Sequence, residues 1–233
     1  RVLFRSEQCG FVTFANNTAE VDYLELAYLQ CLNIKATQKT NSYAVLCDQE
    51  TYKQVTDRHR AVFDYVIQHH APPTFESECA VFWLTPFKET VKLEADLLFT
   101  RSIDHWWTAF RLKNICLSTG TKNYKGINST IRKYRELFDA NNLPDVYNGL
   151  MYFRYSQEAK IFFDCAQYVS NHWEYVKPTL KKCLEESPST DVLYGLTALM
   201  VGEETCTMPS MDFINFVHMK SGYNGWSDNR SWV

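Results

Sequence analysis

Gly10-Phe11-Val12-Thr13-Phe14-Ala15-Asn16-Asn17-Thr18 is an apolar run of one strand's length closed by a polar turn, and the fold is read outward from it. Residues 21–35 follow with Leu24, Ala27, Tyr28 and Cys31 at three-and-four spacing, the stripe of an amphipathic helix that packs on a sheet. A second strand is predicted at 43–47, a second helix at 48–60 and a third strand at 65–67. Strand-helix-strand-helix-strand at this spacing implies parallel strands joined by right-handed crossovers, an α/β sheet. Ligands of such sheets collect beyond the carboxyl ends of the strands, so the 15–18 loop and the segment after Cys47 are expected to border the site.

Pro72-Pro73 marks a loop, and a helix is predicted at 77–88. Val91-Lys92-Leu93-Glu94-Ala95-Asp96-Leu97-Leu98 then reads as an apolar strand interrupted by two acids. Further strands are predicted at 114–118, at 147–154 around Asn148-Gly149, and at 213–218. Helices are predicted at 130–140, 157–169, 175–185 and 191–200. No repeat, low-complexity block or linker divides the chain, so residues 7–233 are expected to form one domain. Arg1-Val2-Leu3-Phe4-Arg5-Ser6 reads like a translated sequencing-library adapter fused to an incomplete reading frame and is set aside from the fold.

A formal charge of -3 gives no general pull toward nucleic acid or an anionic membrane. No apolar stretch approaches the roughly 20 residues of a membrane span, and no charged-then-apolar signal segment is present, so a soluble cytoplasmic protein is expected. The 8 cysteines lack the close pairs of zinc sites or small disulfide frameworks and are expected to be free, mostly buried thiols. Aromatic residues make up 15% of the chain, in runs such as Phe82-Trp83 and Trp106-Trp107, which implies deep packing or a ring-lined cleft. The sequon Asn128-Ser129-Thr130 is read as an ordinary loop.

Chemistry concentrates in two places. In Glu94-Ala95-Asp96, two carboxylates one residue apart would project to the same side of an extended chain, where a divalent cation relieves their repulsion. Hard oxygen ligands select magnesium or manganese, ions that keep open positions for substrate phosphates. Near the other end, Phe213-Ile214-Asn215-Phe216-Val217-His218-Met219-Lys220-Ser221-Gly222 delivers an imidazole and, two residues later, a lysine that could face the same anionic group.

In this order the segments resemble glycosyltransferase family 8, the glycogenin-like enzymes of the GT-A fold. The resemblance runs through Phe11-Val12-Thr13-Phe14-Ala15-Asn16-Asn17, Glu94-Ala95-Asp96 in place of an Asp-x-Asp motif, Tyr147-Asn148-Gly149-Leu150-Met151-Tyr152 and Thr190-Asp191-Val192-Leu193. Val217-His218-Met219-Lys220 with Gly222 and Trp226 is similar to part of a His-x-x-Gly-x-x-Lys-Pro-Trp element. Three departures stand out: the first acid is Glu, the lysine lies two residues past His218 instead of six, and Pro-Trp is absent.

The resemblance implies a single Rossmann-like domain with a central, mostly parallel twisted sheet flanked by helices, and a retaining nucleotide-sugar glycosyltransferase that needs no well-placed general base. It implies Mn2+ or Mg2+ held by Glu94, Asp96 and His218, and a nucleotide sugar, UDP-sugar by preference, as donor. Phe14, Ala15, Asn16 and Asn17 would hold base and ribose, with Glu94-Ala95-Asp96 bordering the same ligand. Lys220 and Gly222 would meet the diphosphate, Lys220 neutralising it as it leaves. Asn148 and Asp191 would contact the donor sugar. Compact size is similar to that of phage-encoded members, for which hydroxymethylated pyrimidine in DNA is one acceptor. Lys113, Lys122, Lys125, Arg132, Lys133 and Arg135, interleaved with Tyr124 and Tyr134, would track its backbone. Glycan or lipopolysaccharide sugar transfer is the alternative, and a catalytically silent nucleotide-binding module is a third reading.

Overall fold

The computed structural model describes residues 7–71, 75–120, 122–123, 136–208 and 217–218. The adapter-like residues 1–6, Pro72-Pro73, the sequon, Lys220, Gly222 and Trp226 lie outside them.

Eight strands are described: β1 Glu7–Phe14, β2 Tyr43–Cys47, β3 Tyr65–Gln68, β4 Phe87–Leu93, β5 Ile115–Thr119, β6 Lys122–Asn123, β7 Val146–Arg154 and β8 Val217–His218. Six form one sheet in the order β3-β2-β1-β4-β7-β5, and β6 pairs with β8 in a separate ribbon. The four strands from β3 to β4 are mutually parallel, and β7 runs antiparallel between β4 and β5. The fold is therefore α/β with a central, mostly parallel sheet, as the strand-helix alternation implies.

Both faces of that sheet are covered. Val12, Leu46, Met151 and Phe153 point to one face, where helices Gln157–Asn171 and Thr190–Val201 pack. Phe11, Val45, Val91 and Tyr152 point to the other, against helix Tyr23–Thr37 and the Trp106-Trp107 pair. Adjacent strand residues thus bury on opposite faces, the signature of a two-sided sheet. The aromatic runs serve packing: Phe153 meets Phe163 edge-on at 4.9 Å, and Phe110 stacks on Tyr152 at 5.2 Å.

Several element boundaries differ from the periodicity reading, each for a local reason. Helix Tyr23–Thr37 starts two residues later than expected because Asp22 caps it, accepting from the Glu25 amide at 3.0 Å. The helix predicted at 48–60 is two short ones, Gln49–Tyr52 and Asp57–Arg60, since Asp48 and Thr56 each cap a separate start. At 77–88 the chain instead forms a 3-10 turn Phe75–Ala80 and a helix Val81–Leu84. Pro86 forces Thr85 to an extended conformation, and β4 begins at Phe87. Helix 175–185 is likewise replaced by Trp173–Val176 and a 3-10 turn Lys177–Thr179 containing Pro178. Of the helix predicted at 130–140, residues 136–141 are described as Glu136–Asn141.

Gly10 sits at a close approach: a Cβ there would fall 2.5 Å from the ring of Phe87, itself fully buried. Gly10→Ala is expected to destabilise the protein by about 1–3 kcal/mol through overpacking. Gly10→Ala/Phe87→Leu should recover part of the loss. Urea melts check this, and equal stability of Gly10→Ala and wild type would defeat it.

None of the eight cysteines forms a disulfide, and Cys31, Cys47, Cys79, Cys116 and Cys206 are buried. No helix among the described residues is long and apolar enough to cross a membrane.

Candidate functional site

The acids do not lie in a strand. β4 ends at Leu93, and Glu94-Ala95-Asp96 occupies a turn beyond it, with Glu94 half-buried, Ala95 buried and Asp96 exposed. The turn closes through the Leu97 amide donating to the Glu94 carbonyl at 3.3 Å, while the Glu94 amide donates to the Gly149 carbonyl at 3.1 Å. Alternation along an extended chain therefore does not set the direction of the two carboxylates; a turn does.

Because β7 is antiparallel to β4, its first residues arrive at the carboxyl end of β4. The Tyr147 hydroxyl donates to Glu94 Oε2 at 3.0 Å. Burial holds that phenol well above its ordinary range, and the nearby carboxylates of Glu94, Asp191 and Asp96 push the same way, so Tyr147 stays a proton donor. A register shift opposite Leu117/Ser118 bulges β7 just past Tyr147, where Asn148 and Gly149 lie.

Asn148 is the hub. Its backbone amide donates to Asp191 Oδ1 at 2.7 Å, and its Nδ2 donates to Glu78 Oε2 at 2.8 Å. Glu78 also pairs with the ammonium of Lys92, which is 1% exposed near the carboxyl end of β4. Glu78 accepts only, so the carboxamide is oriented with Oδ1 turned away from it. That oxygen is buried and has no partner among the described residues. Asp191 is not the cap of its helix: Ser189 fills that role toward the Val192 amide, leaving the Asp191 carboxylate to cross to β7.

Residues 14–17 lie at the ends of β1 and β2. The Ala15 amide donates to the Leu46 carbonyl at 2.8 Å, and Phe14 meets His69 edge-on at 5.4 Å. Asn16 Oδ1 accepts from the Asp48 amide at 2.9 Å and lies 3.0 Å from His69 Nε2, joining the ends of three strands. Asn17 Oδ1 accepts from the Leu24 amide at 2.9 Å, and its Nδ2 donates to Gln54 at 3.0 Å. Both asparagine side chains thus brace the loop. The loop's shape is fixed by them, and Phe14 and His69 are buried.

For His218 the structure gives only backbone, paired in β8 with Asn123 of β6. Among the described residues no group of three or more His, Cys, Asp or Glu side chains could hold a metal. Glu94, Asp96 and Asp191 nevertheless lie close enough together that all three carboxylates act on the Tyr147 phenol, and Asp96 is exposed.

Two groups made their place known only here. Lys92 is a charge flanked by the buried Val91 and Leu93, and that pattern does signal a buried partner, though not that it is Glu78. Gln30, on the apolar face of its helix, carries a similar signal.

Titration of buried groups bounds stability from both sides. Burial pushes the thiols of Cys31, Cys47, Cys116 and Cys206 from an ordinary 9.0 up to about 12. The unfolded chain then releases these protons first, so stability is full below pH 9.0 and falls as pH rises toward 12. Burial lowers His69 below 6.5, so its contribution is full above 6.5 and falls as pH drops below it. Thermal melts from pH 5 to pH 10.5 are expected to peak between these limits; a Tm still rising above about pH 9.5 would contradict the assignment.

The strand order and the helices on both faces make a mixed α/β fold with a central, mostly parallel sheet, consistent with the GT-A type. No protein-family model and no curated protein matches the sequence. Among solved structures, the chain is similar to mouse xyloside xylosyltransferase 1, with a TM-score of 0.52 at 9% identity over 86% of this chain and 84% of that one. It is similar to the galactosyltransferase LgtC, solved with donor and acceptor sugar analogs, with a TM-score of 0.53 at 11% identity over 81% and 70% of the two chains. It is also similar to the glycosyltransferase GlyE of Streptococcus pneumoniae, with a TM-score of 0.50 at 9% identity over 88% of this chain and 46% of that one. The chain thus spans less than half of GlyE. At these identities the likeness is one of fold.

Proposed function

We propose that this chain is a metal-dependent glycosyltransferase that moves a sugar from a nucleotide-sugar donor, a UDP-sugar by preference, to an acceptor hydroxyl with retention of configuration. The observation that supports it is the convergence of the acid turn, Tyr147, Asn148 and Asp191 at one end of the sheet, on hydrogen bonds between segments far apart in sequence. That the similar folds include a xylosyltransferase and a galactosyltransferase supports the same reading.

In this reading Glu94 and Asp96, with His218, hold Mn2+ or Mg2+, whose charge stabilises the departing diphosphate when bound. Tyr147 pins Glu94 by donating its hydroxyl to Oε2. Phe14, Ala15, Asn16 and Asn17 shape the floor for base and ribose. Lys220 and Gly222 meet the diphosphate. Asn148 offers the Oδ1 that has no partner among the described residues to a sugar hydroxyl, and Asp191, bound to the Asn148 amide, borders the same sugar.

A panel of nucleotide sugars with manganese, scored by thermal shift, tests the donor side, since a ligand of the folded state raises Tm. Manganese-dependent release of sugar from the donor that binds would exclude a silent module. No shift with any donor, and no release, would sink the proposal. For the acceptor, we propose hydroxymethylated pyrimidine in DNA, with labelled sugar on such a duplex as the assay. Transfer only to glycan or lipopolysaccharide would replace that acceptor. Of the basic residues that motivate it, Lys113 donates to the Glu204 carbonyl, and the side chains of Lys122, Tyr124, Lys125, Arg132, Lys133, Tyr134 and Arg135 lie outside the described residues.

A further inference from the structure

Gln30 lies at the middle of helix Tyr23–Thr37, wholly inaccessible to solvent. Its carboxamide is fully used. Oε1 accepts from the Thr13 hydroxyl at 2.7 Å and the Tyr43 hydroxyl at 2.8 Å. Nε2 donates to the Glu94 carbonyl at 2.7 Å and to the Leu97 carbonyl at 2.7 Å. Carbonyls accept only, so the nitrogen must face the turn and the oxygen the sheet, and no other orientation satisfies all four partners.

The consequence is mechanical. At one end the amide is anchored on β1 and β2 in the middle of the sheet. At the other it grips both ends of the turn carrying Glu94 and Asp96. The turn's own closing bond, Leu97 amide to Glu94 carbonyl, is long at 3.3 Å, whereas the two bonds from Gln30 are short. Farther along the same helix, Asn33 holds Phe99 through both its amide and its carbonyl, and Gln38, the helix's C-cap, holds Arg101 and Ile103. The helix thus clamps the chain after β4 by a row of carboxamides, of which Gln30 alone touches the acids' backbone.

We infer that Gln30 is a positioning residue that fixes the backbone of the acid turn, and hence the geometry with which Glu94 and Asp96 meet a divalent cation; this rests on the cation-binding reading of those acids. Without the carboxamide, the Leu97 carbonyl loses its Gln30 donor, the Glu94 carbonyl keeps only the long bond from the Leu97 amide, and the turn relaxes toward solvent.

Gln30→Met is the test, with Gln38→Met as the control that removes a clamp of the same kind farther from the acids. Manganese binding in the presence of UDP is measured by calorimetry, and amide hydrogen exchange is measured over residues 95–99. Gln30→Met is expected to weaken manganese binding about 10- to 100-fold, as loss of an outer-shell orienting group does. It should also speed exchange over 95–99. Gln38→Met is expected to lower Tm and leave manganese affinity as in wild type. Equal affinity in Gln30→Met and wild type, or an equal loss in Gln38→Met, overturns the inference.

Should Gln30→Met fail to fold, Gln30→Glu keeps the oxygen facing Thr13 and Tyr43 while removing a donor from the turn, and the same readouts apply. If wild type itself binds no manganese with UDP, the cation reading of the site fails. The hold on the turn is then judged by exchange alone: acceleration over 95–99 in the Gln30 variant but not in the Gln38 variant sustains it, and unchanged exchange refutes it.

Discussion

On the function proposed above, Asp96→Ala is expected to lower manganese-dependent sugar transfer on the order of 10³-fold, the scale lost when a group stabilising developing charge is removed, while leaving the protein folded. The asymmetry comes from its place: Asp96 is exposed at the tip of the turn, and the turn is held by Gln30 and by backbone bonds rather than by the Asp96 side chain. Glu94→Gln offers the contrast, since the Tyr147 hydroxyl can still donate to the remaining amide oxygen and much of the local structure survives. Activity assays at saturating donor and manganese, paired with thermal melts, check both. Full activity in Asp96→Ala would remove the acid turn from the mechanism.

Glu78→Leu is expected to be the most damaging single change to stability, by roughly 3–5 kcal/mol, because it leaves the ammonium of Lys92 buried without a counter-charge. Lys92 is 1% exposed, and the side chain of Glu78 is 18% exposed, so water screens the pair little. For a chain of this length the loss corresponds to a drop in Tm of roughly 10 °C. Removing both charges in Glu78→Leu/Lys92→Met should recover most of it, since a buried ion pair is often replaceable by apolar groups of similar volume. Recovery should stop short of wild type, because Asn148 Nδ2 loses its acceptor. Denaturant melts of the two single variants and the double complete the cycle; additive losses in the double would mean the two charges do not stabilise each other.

The same pair shows where a reading from sequence stops. Val91-Lys92-Leu93 announces a strand with one charge too many, and the strand is there. What answers that charge comes from a 3-10 turn whose residues read as an ordinary helix. The acids give a second case. Their identity and their position after an apolar run were legible, but extending the strand through Leu98 missed that the chain turns at Glu94, because the bonds that turn it come from Gln30, 64 residues away.

Asn148 and Asp191 give the third: the resemblance to GT-A enzymes pointed to both, and the structure joins them across 43 residues, yet neither local pattern says that they touch. His218 and Lys220 are left where the sequence put them, with their side chains outside the described residues.

By itself, then, the sequence determined the α/β class, the strand-helix order and the segments richest in oxygen ligands, because hydrophobic periodicity and capping act over a few residues and leave a local trace. Only the tertiary structure decided which carboxylates share a phenol, which buried cation has a partner and which carboxamide holds the acid turn. Those are hydrogen bonds and ion pairs between distant segments, chosen by the packing of two sheet faces, and no local pattern encodes a partner that the chain meets only once it is folded.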